Sequence, residues 1–235
     1  MRTADFVLIT GAGRRIGRSL ALAVASSGSD VALHYLNSER EALSLKEAIE
    51  KMGRKALLIK ADLSKGEEVE RIIPSVLQEG SLKALINNAS IFENLDWQAT
   101  NAERWHNTLD INLTAPYLLS RAFAHHCETG SIINMLDWRS LRPDKNNLAY
   151  SVSKGALYTL TQLLAEALAP QIRVNAMALG AILPPEGKRK GKLGNVPAGR
   201  WGTLEEVNAT LLFLLNGPAY ITGEIIHLDG GRHLT

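Results

Sequence analysis

Short, continuously apolar runs alternate with longer stretches of helical period from one end of the chain to the other. Residues 5–10 (DFVLIT), 30–36 (DVALHYL), 55–60 (KALLIK), 83–88 (KALINN), 130–136 (GSIINML), 172–178 (IRVNAMA) and 224–229 (EIIHLD) have strand length and are rich in Val, Ile and Leu. Such runs fit parallel strands covered on both faces. Between them the spacing predicts helices over 15–28, 39–52, 66–78, 103–127, 150–169 and 204–215, with a break inside the fourth. Thr203 and Glu206 have capping-box spacing ahead of the last helix. Pro170 closes the fifth. Strict alternation predicts an α/β fold, a doubly wound, seven-stranded, mostly parallel sheet with right-handed crossovers and helices on both faces. No linker or repeat divides the chain, so one domain over 1–235 is expected. Only 179–203 is long and irregular, with prolines and glycines around GKRKGK. A long loop after a strand's carboxyl end is a candidate substrate loop in such a fold.

Composition narrows the partners. The 235 residues are 46% hydrophobic, enough for a large core. A formal net charge of +2 is too small to make nucleic acid the expected partner, and the basic excess sits in one loop. Cys127 is the single cysteine, which excludes an internal disulfide and fits a reducing compartment. His125 and His126 are neighbours on a helix and face different ways. With His34, His106, His227 and His233 they have no ligand spacing, so no metal is expected. No apolar run reaches the roughly 20 residues that span a bilayer. MRTADFVLIT leads straight into a strand, so neither a membrane segment nor a signal peptide is expected. A soluble, cytoplasmic protein is the expectation.

Two stretches carry chemistry. The first strand runs into TGAGRRIG (10–17), where glycines would let the backbone approach a pyrophosphate at a helix N-terminus. Tyr150 and Lys154 stand four apart and share a helix face. A phenol beside an ammonium is a candidate proton donor, because the positive charge would lower the tyrosine pKa.

In their order and spacing these motifs resemble those of the short-chain dehydrogenases/reductases, over nearly the whole chain. Gly11 and Gly17 match the first and last glycines of that family's TGxxxGxG loop, with Arg15 in place of the middle one. NNAS (87–90) is similar to the family's NNAG, and Asn112 falls at its helical asparagine. Asp62 matches the acid beside adenine, Tyr150 and Lys154 the catalytic pair, and LDGG (228–231) a C-terminal hallmark. The resemblance implies a Rossmann fold holding a nicotinamide cofactor. The glycine loop would contribute Gly11, Arg14, Arg15, Ile16 and Gly17, and the second strand's end His34, Tyr35, Asn37 and Ser38. Asp62, Leu63, Asn88, Ala89 and Ser90 would follow, then Tyr150, Lys154, Gly180 and Ile182. An acid closing the second strand would repel a 2′-phosphate. HYLNS (34–38) has none, and Arg14 adds positive charge, so NADPH is the expected cofactor. The plainer reading leaves Arg14 as a solvated surface residue.

The family usually carries a serine thirteen residues before the tyrosine, and here that position is Asp137. Together with Arg15, HYLNS, an aromatic after NNAS, and DGGRHL near the C-terminus, this resembles the pteridine and dihydromonapterin reductases of the family. The resemblance implies a catalytic set of Asp137, Tyr150 and Lys154, with Asn112 holding water. A pterin or folate substrate would stack on Phe92 and be touched by Arg15, Ser90, Asp137 and Tyr150. A pterin offers a C=N bond and N–H donors that a carboxylate can accept, whereas a serine suits a carbonyl oxygen. Three alternatives stay open. Ser140, ten residues before Tyr150, would restore an ordinary ketone or 3-oxoacyl-carrier reductase. Phe92 would then be a core aromatic. A slow NADPH- or pterin-binding protein is the third. The basic run Lys188–Lys192 is either a solvated loop or an attractor of an anionic substrate tail. A homotetramer, or a dimer, is expected from the resemblance and from a helix after Tyr150 that is apolar on more than one face.

Overall fold

A computed structural model describes residues 4–184, 186–187, 189–191, 193 and 195–235. Seven strands, β1 (Asp5–Ile9), β2 (Asp30–Tyr35), β3 (Ala56–Lys60), β4 (Ser81–Asn87), β5 (Gly130–Asp137), β6 (Ile172–Leu179) and β7 (Ile225–Leu228), form one sheet in the order β3-β2-β1-β4-β5-β6-β7. Every neighbouring pair is parallel, in agreement with the doubly wound, seven-stranded sheet expected from the alternation. The helices are α1 (Arg15–Ser26), α2 (Glu39–Lys51), α3 (Gly66–Leu77), α4 (Ala102–Leu109), α5 (Ala115–His126), α6 (Leu148–Leu168) and α7 (Leu204–Asn216). The expected capping box is present at α7, where Thr203 Oγ1 accepts the Glu206 N–H and the Glu206 carboxylate accepts the Thr203 N–H.

Burial of both sheet faces explains the unbroken apolar strands. On β1, Val7 and Ile9 pack into a core layer with Leu20 and Val24 of α1 and Leu211 of α7. Phe6 and Leu8, pointing the other way, join Ile72 and Ile73 of α3 and Leu119 and Phe123 of α5. The sequence's single long fourth helix is two helices around a π-helical turn, Asp110–Thr114. Pro116 enters at the start of α5 and has no N–H for the carbonyl of Asn112 four residues back. The ladder widens there instead of continuing, and π turns of this kind recur at functional sites.

Strand order reverses between β1 and β4. Ligand crevices of open α/β sheets lie outside the carboxyl ends of the strands at such a point. The loops after β1, β4, β5 and β6 all meet there.

Candidate active site

A cavity of about 460 Å³ opens at this switch point. The glycine loop supplies Gly11, Arg14, Arg15, Ile16 and Gly17 to its wall, and the end of β2 supplies His34, Asn37 and Ser38. Asp62, Leu63, Asn88, Ala89 and Ser90 of the expected set also line it, joined by Leu36, Ala61, Ile91 and Ile111, which motif matching did not single out. Tyr35, Tyr150, Lys154, Gly180 and Ile182 are not on this wall. Tyr35 alternates with His34 along β2 and is buried, its hydroxyl 3.5 Å from Glu39. Gly180 bonds through its N–H to the Leu228 carbonyl, and Ile182 lines a separate cavity of about 220 Å³ beneath Val196–Gly202.

The loop geometry shows why its residues are glycine where they are. Gly11 has φ +63°, and a side chain at Gly17 would run into the Gly11 carbonyl and sit 2.8 Å from Asn88 Nδ2. Asn88 Nδ2 donates to the Thr10 carbonyl at 2.8 Å, while Thr10 Oγ1 accepts from the backbone of Asn88 and Ala89. This laces the end of β4 to the end of β1. Arg15 also adopts a left-handed conformation, φ +53°, where the family motif has glycine. Its Nη2 crosses to the Pro184 carbonyl at 2.7 Å, and Arg14 faces Glu186 at 3.5 Å. Arg14, Arg15, Arg18 and Arg40 line an adjoining hollow of about 430 Å³. Arg18 escaped motif matching, although it stands one helical turn from Arg14 and so on the same face.

His34 reaches the cavity by an unexpected route. It is buried, its Nδ1 accepts the Gly11 N–H at 3.1 Å, and its Nε2 lies 3.0 Å from the Ala61 carbonyl. That pattern fixes the neutral tautomer with hydrogen on Nε2. Burial pulls its pKa from 6.5 to about 4, against weaker opposing effects of the Ala61 bond and Asp62. His34 therefore acts as a neutral bracket between β1, β2 and β3.

The catalytic candidates stand together at the ends of β5 and α6. Tyr150 is buried, and Phe92 meets it edge-on with ring centroids 4.7 Å apart at 87°. Phe92 is half-exposed, which rules out the plain core reading. Lys154 is fully buried and donates from Nζ to the Met135 carbonyl at 2.8 Å; burial lowers its pKa to about 8. The expected lowering of the Tyr150 pKa by this lysine is reversed. Burial, then the Asp137 carboxylate, hold the phenol well above its ordinary value, with Arg139 opposing them. The ammonium is engaged by a backbone carbonyl, and low-dielectric surroundings disfavour the phenolate. Tyr150 thus stays protonated across the neutral range.

Asp137 ends β5 and caps the short turn Trp138–Ser140 by accepting the Arg139 N–H at 2.9 Å. Ser140 Oγ donates to the Asp137 carbonyl at 2.7 Å, so that hydroxyl closes the turn and does not replace the missing serine. Asn112 is buried with its amide fully used: Oδ1 accepts from Ser90 Oγ and the Ile91 N–H, and Nδ2 donates to the Ile91 carbonyl and Ser153 Oγ. Its side chain has no capacity left for the expected water. Ser90 is thereby joined to Asn112 at the border between cavity and catalytic set.

Lys188 and Lys192 of the basic run lie outside the described residues; Arg189 is exposed and the Lys190 ammonium lies 5.6 Å from the Trp201 ring centre. Cys127 is half-buried and burial raises its thiol pKa, the opposite of activation. Among the described residues, no group of three or more His, Cys, Asp or Glu side chains could hold a metal ion. Nor is any helix among them long and apolar enough to cross a membrane.

A family model described as enoyl-(acyl carrier protein) reductase matches residues 11–233. The chain belongs to the short-chain dehydrogenase/reductase family. Within this family it is similar to a 3-oxoacyl-[acyl-carrier-protein] reductase of Synechocystis sp., 32% identical and covering 97% of both chains. Among solved structures it is similar to FolM alternative dihydrofolate reductase 1 from Brucella canis complexed with NADP, at TM-score 0.92 and 32% identity over 98% of this chain and 94% of that one. A short-chain dehydrogenase from Burkholderia cenocepacia in complex with NADP superposes at TM-score 0.89, with 30% identity over 95% of this chain and 96% of that one. As a member of the family the chain is an oxidoreductase acting on small molecules with a nicotinamide cofactor.

Proposed function

We propose that this chain is an NADPH-dependent reductase of a pterin ring, converting a dihydropterin or dihydrofolate to its tetrahydro form. The observation that carries the reading is the carboxylate of Asp137 beside Tyr150, whose ring Phe92 meets edge-on, at the position where the resemblance puts a serine in carbonyl-reducing members of the family. The residues present fit the cofactor. The closely packed glycine turn suits a pyrophosphate, no acid closes β2, and four arginines bound the hollow beyond Gly13. Arg14, Arg18 and Arg40 would hold the 2′-phosphate, and Lys154 the nicotinamide ribose. Bound NADPH supplies the hydride.

The chain's own groups do the rest. Tyr150, kept protonated by its surroundings, donates the proton that a C=N nitrogen must gain. Asp137 accepts the ring N–H donors of the pterin and fixes its orientation. Phe92 provides the apolar face for stacking, with Arg15 and Ser90 at the pterin's edges. The protein works in the cytoplasm as a homotetramer. This assembly would cover the exposed Tyr117 of α5 and Val152 and Leu163 of α6.

A second reading, reduction of a 3-oxoacyl thioester, is favoured by the Synechocystis relative. It lacks a serine, since Ser140 is committed to the Asp137 carbonyl. The test is steady-state turnover of a dihydropterin by Asp137→Ala, expected to fall a hundredfold or so, on the scale of a lost orienting group. Unchanged turnover would remove Asp137 from its role.

A further inference from the structure

Arg139 has no part in the chemistry assigned so far, yet it touches most of the groups that do. It lies on the turn after β5, and its side chain is only 19% exposed, that of Asp137 18%. Its backbone N–H donates to Asp137 Oδ1 at 2.9 Å, and its Nη1 donates to the same oxygen at 3.4 Å. Two donors from one residue on one oxygen restrict rotation of the carboxylate and leave Oδ2 outside the pair. The guanidinium is fixed in turn. It lies 5.3 Å from the ring centre of Phe92 and 4.7 Å from that of Trp138. On Trp138 the guanidinium of Arg232 lies 4.2 Å from the ring centre. Arg139 Nε is buried without a hydrogen-bond partner among the described residues, the Asp144 carboxylate being 3.9 Å away. A solvated surface arginine has none of these features.

We propose that Arg139 is the positioning residue of Asp137: it pins Oδ1 so that Oδ2 is the oxygen presented to the substrate, and it is itself set by the stack of Phe92, Trp138 and Arg232. The inference rests on the reading of Asp137 as a substrate-facing carboxylate. It also gives the C-terminal turn Arg232–Leu234 a function. That turn is anchored by His233, whose N–H and Nδ1 both lie 2.8 Å from Asp229 Oδ2 and whose carbonyl accepts from Arg142 Nε at 3.1 Å. The anchoring carries Arg232 onto Trp138. The charged and titratable groups around Asp137 are Tyr150 and Lys154 from α6, Arg139 and Asp144 from the segment after β5, and Arg232 from the tail. Arg139 is the cation in direct contact with the carboxylate. Its charge also pulls the Tyr150 phenol down against burial and Asp137.

The experiment compares kcat, KM, the pH dependence of kcat/KM, and NADPH affinity by fluorescence for the wild type, Arg139→Gln, Arg139→Lys and Trp138→Leu, with NADPH and a dihydropterin. In Arg139→Gln, kcat should fall about tenfold to a hundredfold, as for a misplaced catalytic group. The acid limb of kcat/KM should move up, since the variant lacks the cation in direct contact with the substrate-facing carboxylate. Arg139 contacts Asp137, Phe92 and Trp138 and none of Arg14, Arg18, Arg40 or Lys154, so the NADPH dissociation constant should stay within about twofold. Arg139→Lys should restore the acid limb without restoring kcat, having the charge but not the planar fork. Trp138→Leu should lower kcat less and leave the limb in place. An Arg139→Gln enzyme with wild-type kcat and acid limb overturns the proposal. So does loss of NADPH binding alongside activity in both Arg139 variants, which would make the residue part of the fold alone. If the wild type reduces ketones and no pterin, the pterin reading fails by itself. The same Arg139 comparison on the ketone then decides: an unmoved acid limb rejects the positioning role, a moved one retains it.

Discussion

Arg15 stands in a left-handed conformation at φ +53°, a region that costs a non-glycine residue about 1 kcal/mol or more. Glycine would relieve this strain, so the arginine is there for its guanidinium. The expected outcome of Arg15→Gly is a protein as stable as the wild type or more stable by about 1 kcal/mol, with kcat/KM reduced at least tenfold. Thermal unfolding and steady-state kinetics check both halves. Lower stability with intact activity would assign Arg15 to the fold through its bond to Pro184. His34 makes a prediction in pH. Its folded pKa, about 4, lies below its unfolded 6.5, so the folded state binds fewer protons between those values. The stability it contributes is complete above about pH 6.5 and is lost as pH falls towards 4, by up to about 3 kcal/mol. Protonation would also set an N–H against the Gly11 N–H and loosen the glycine loop. Urea unfolding at pH 7 and pH 4.5 should show a smaller acid loss in His34→Gln than in the wild type. Equal losses would contradict the bracket.

At the scale of elements, the π turn and the loop after β4 are one unit because Asn112 bonds Ile91 at both backbone groups and Ser153 on α6. Asn112→Ala leaves buried polar groups unpaired and should cost about 3 kcal/mol of stability, measured by urea unfolding. A loss under 1 kcal/mol would mean water takes over the amide's bonds. The elements themselves were legible in the sequence, since strands buried on both faces and helices buried on one carry different periods. Boundaries matched to within one or two residues at most ends. The π turn was legible as a break because Pro116 removes a donor, but its width was not. The short turns at Trp138–Ser140, Lys145–Asn147 and Arg232–Leu234 have no period and were missed. So were the contacts they create, chiefly Arg139 on Asp137. Motif matching located His34, Asn88 and Asn112 but not the bonds they make, because side-chain hydrogen bonds to distant backbone have no signature along the chain. The tyrosine pKa was misjudged for a similar reason: spacing shows that Lys154 is near Tyr150, not that the Met135 carbonyl engages its ammonium.

At the scale of the molecule, the all-parallel sheet brings four loops to one edge, so cofactor cavity, catalytic set and C-terminal tail share a rim. The homotetramer proposal belongs here. Solution scattering at micromolar concentration should give a mass four times that of one chain, and a monomer would contradict it. On the proposed function, a carboxylate at position 137 turns a carbonyl-reducing site towards a C=N bond. The most direct test is NADPH oxidation by the purified protein, run in parallel with a dihydropterin, dihydrofolate and a panel of simple ketones and 3-oxoacyl thioesters, on the wild type and Asp137→Ser. Wild-type turnover of the pterins without the ketones is expected, with loss of pterin turnover by about a hundredfold in the serine variant. Ketone or thioester turnover with silent pterins in the wild type would contradict the proposed function.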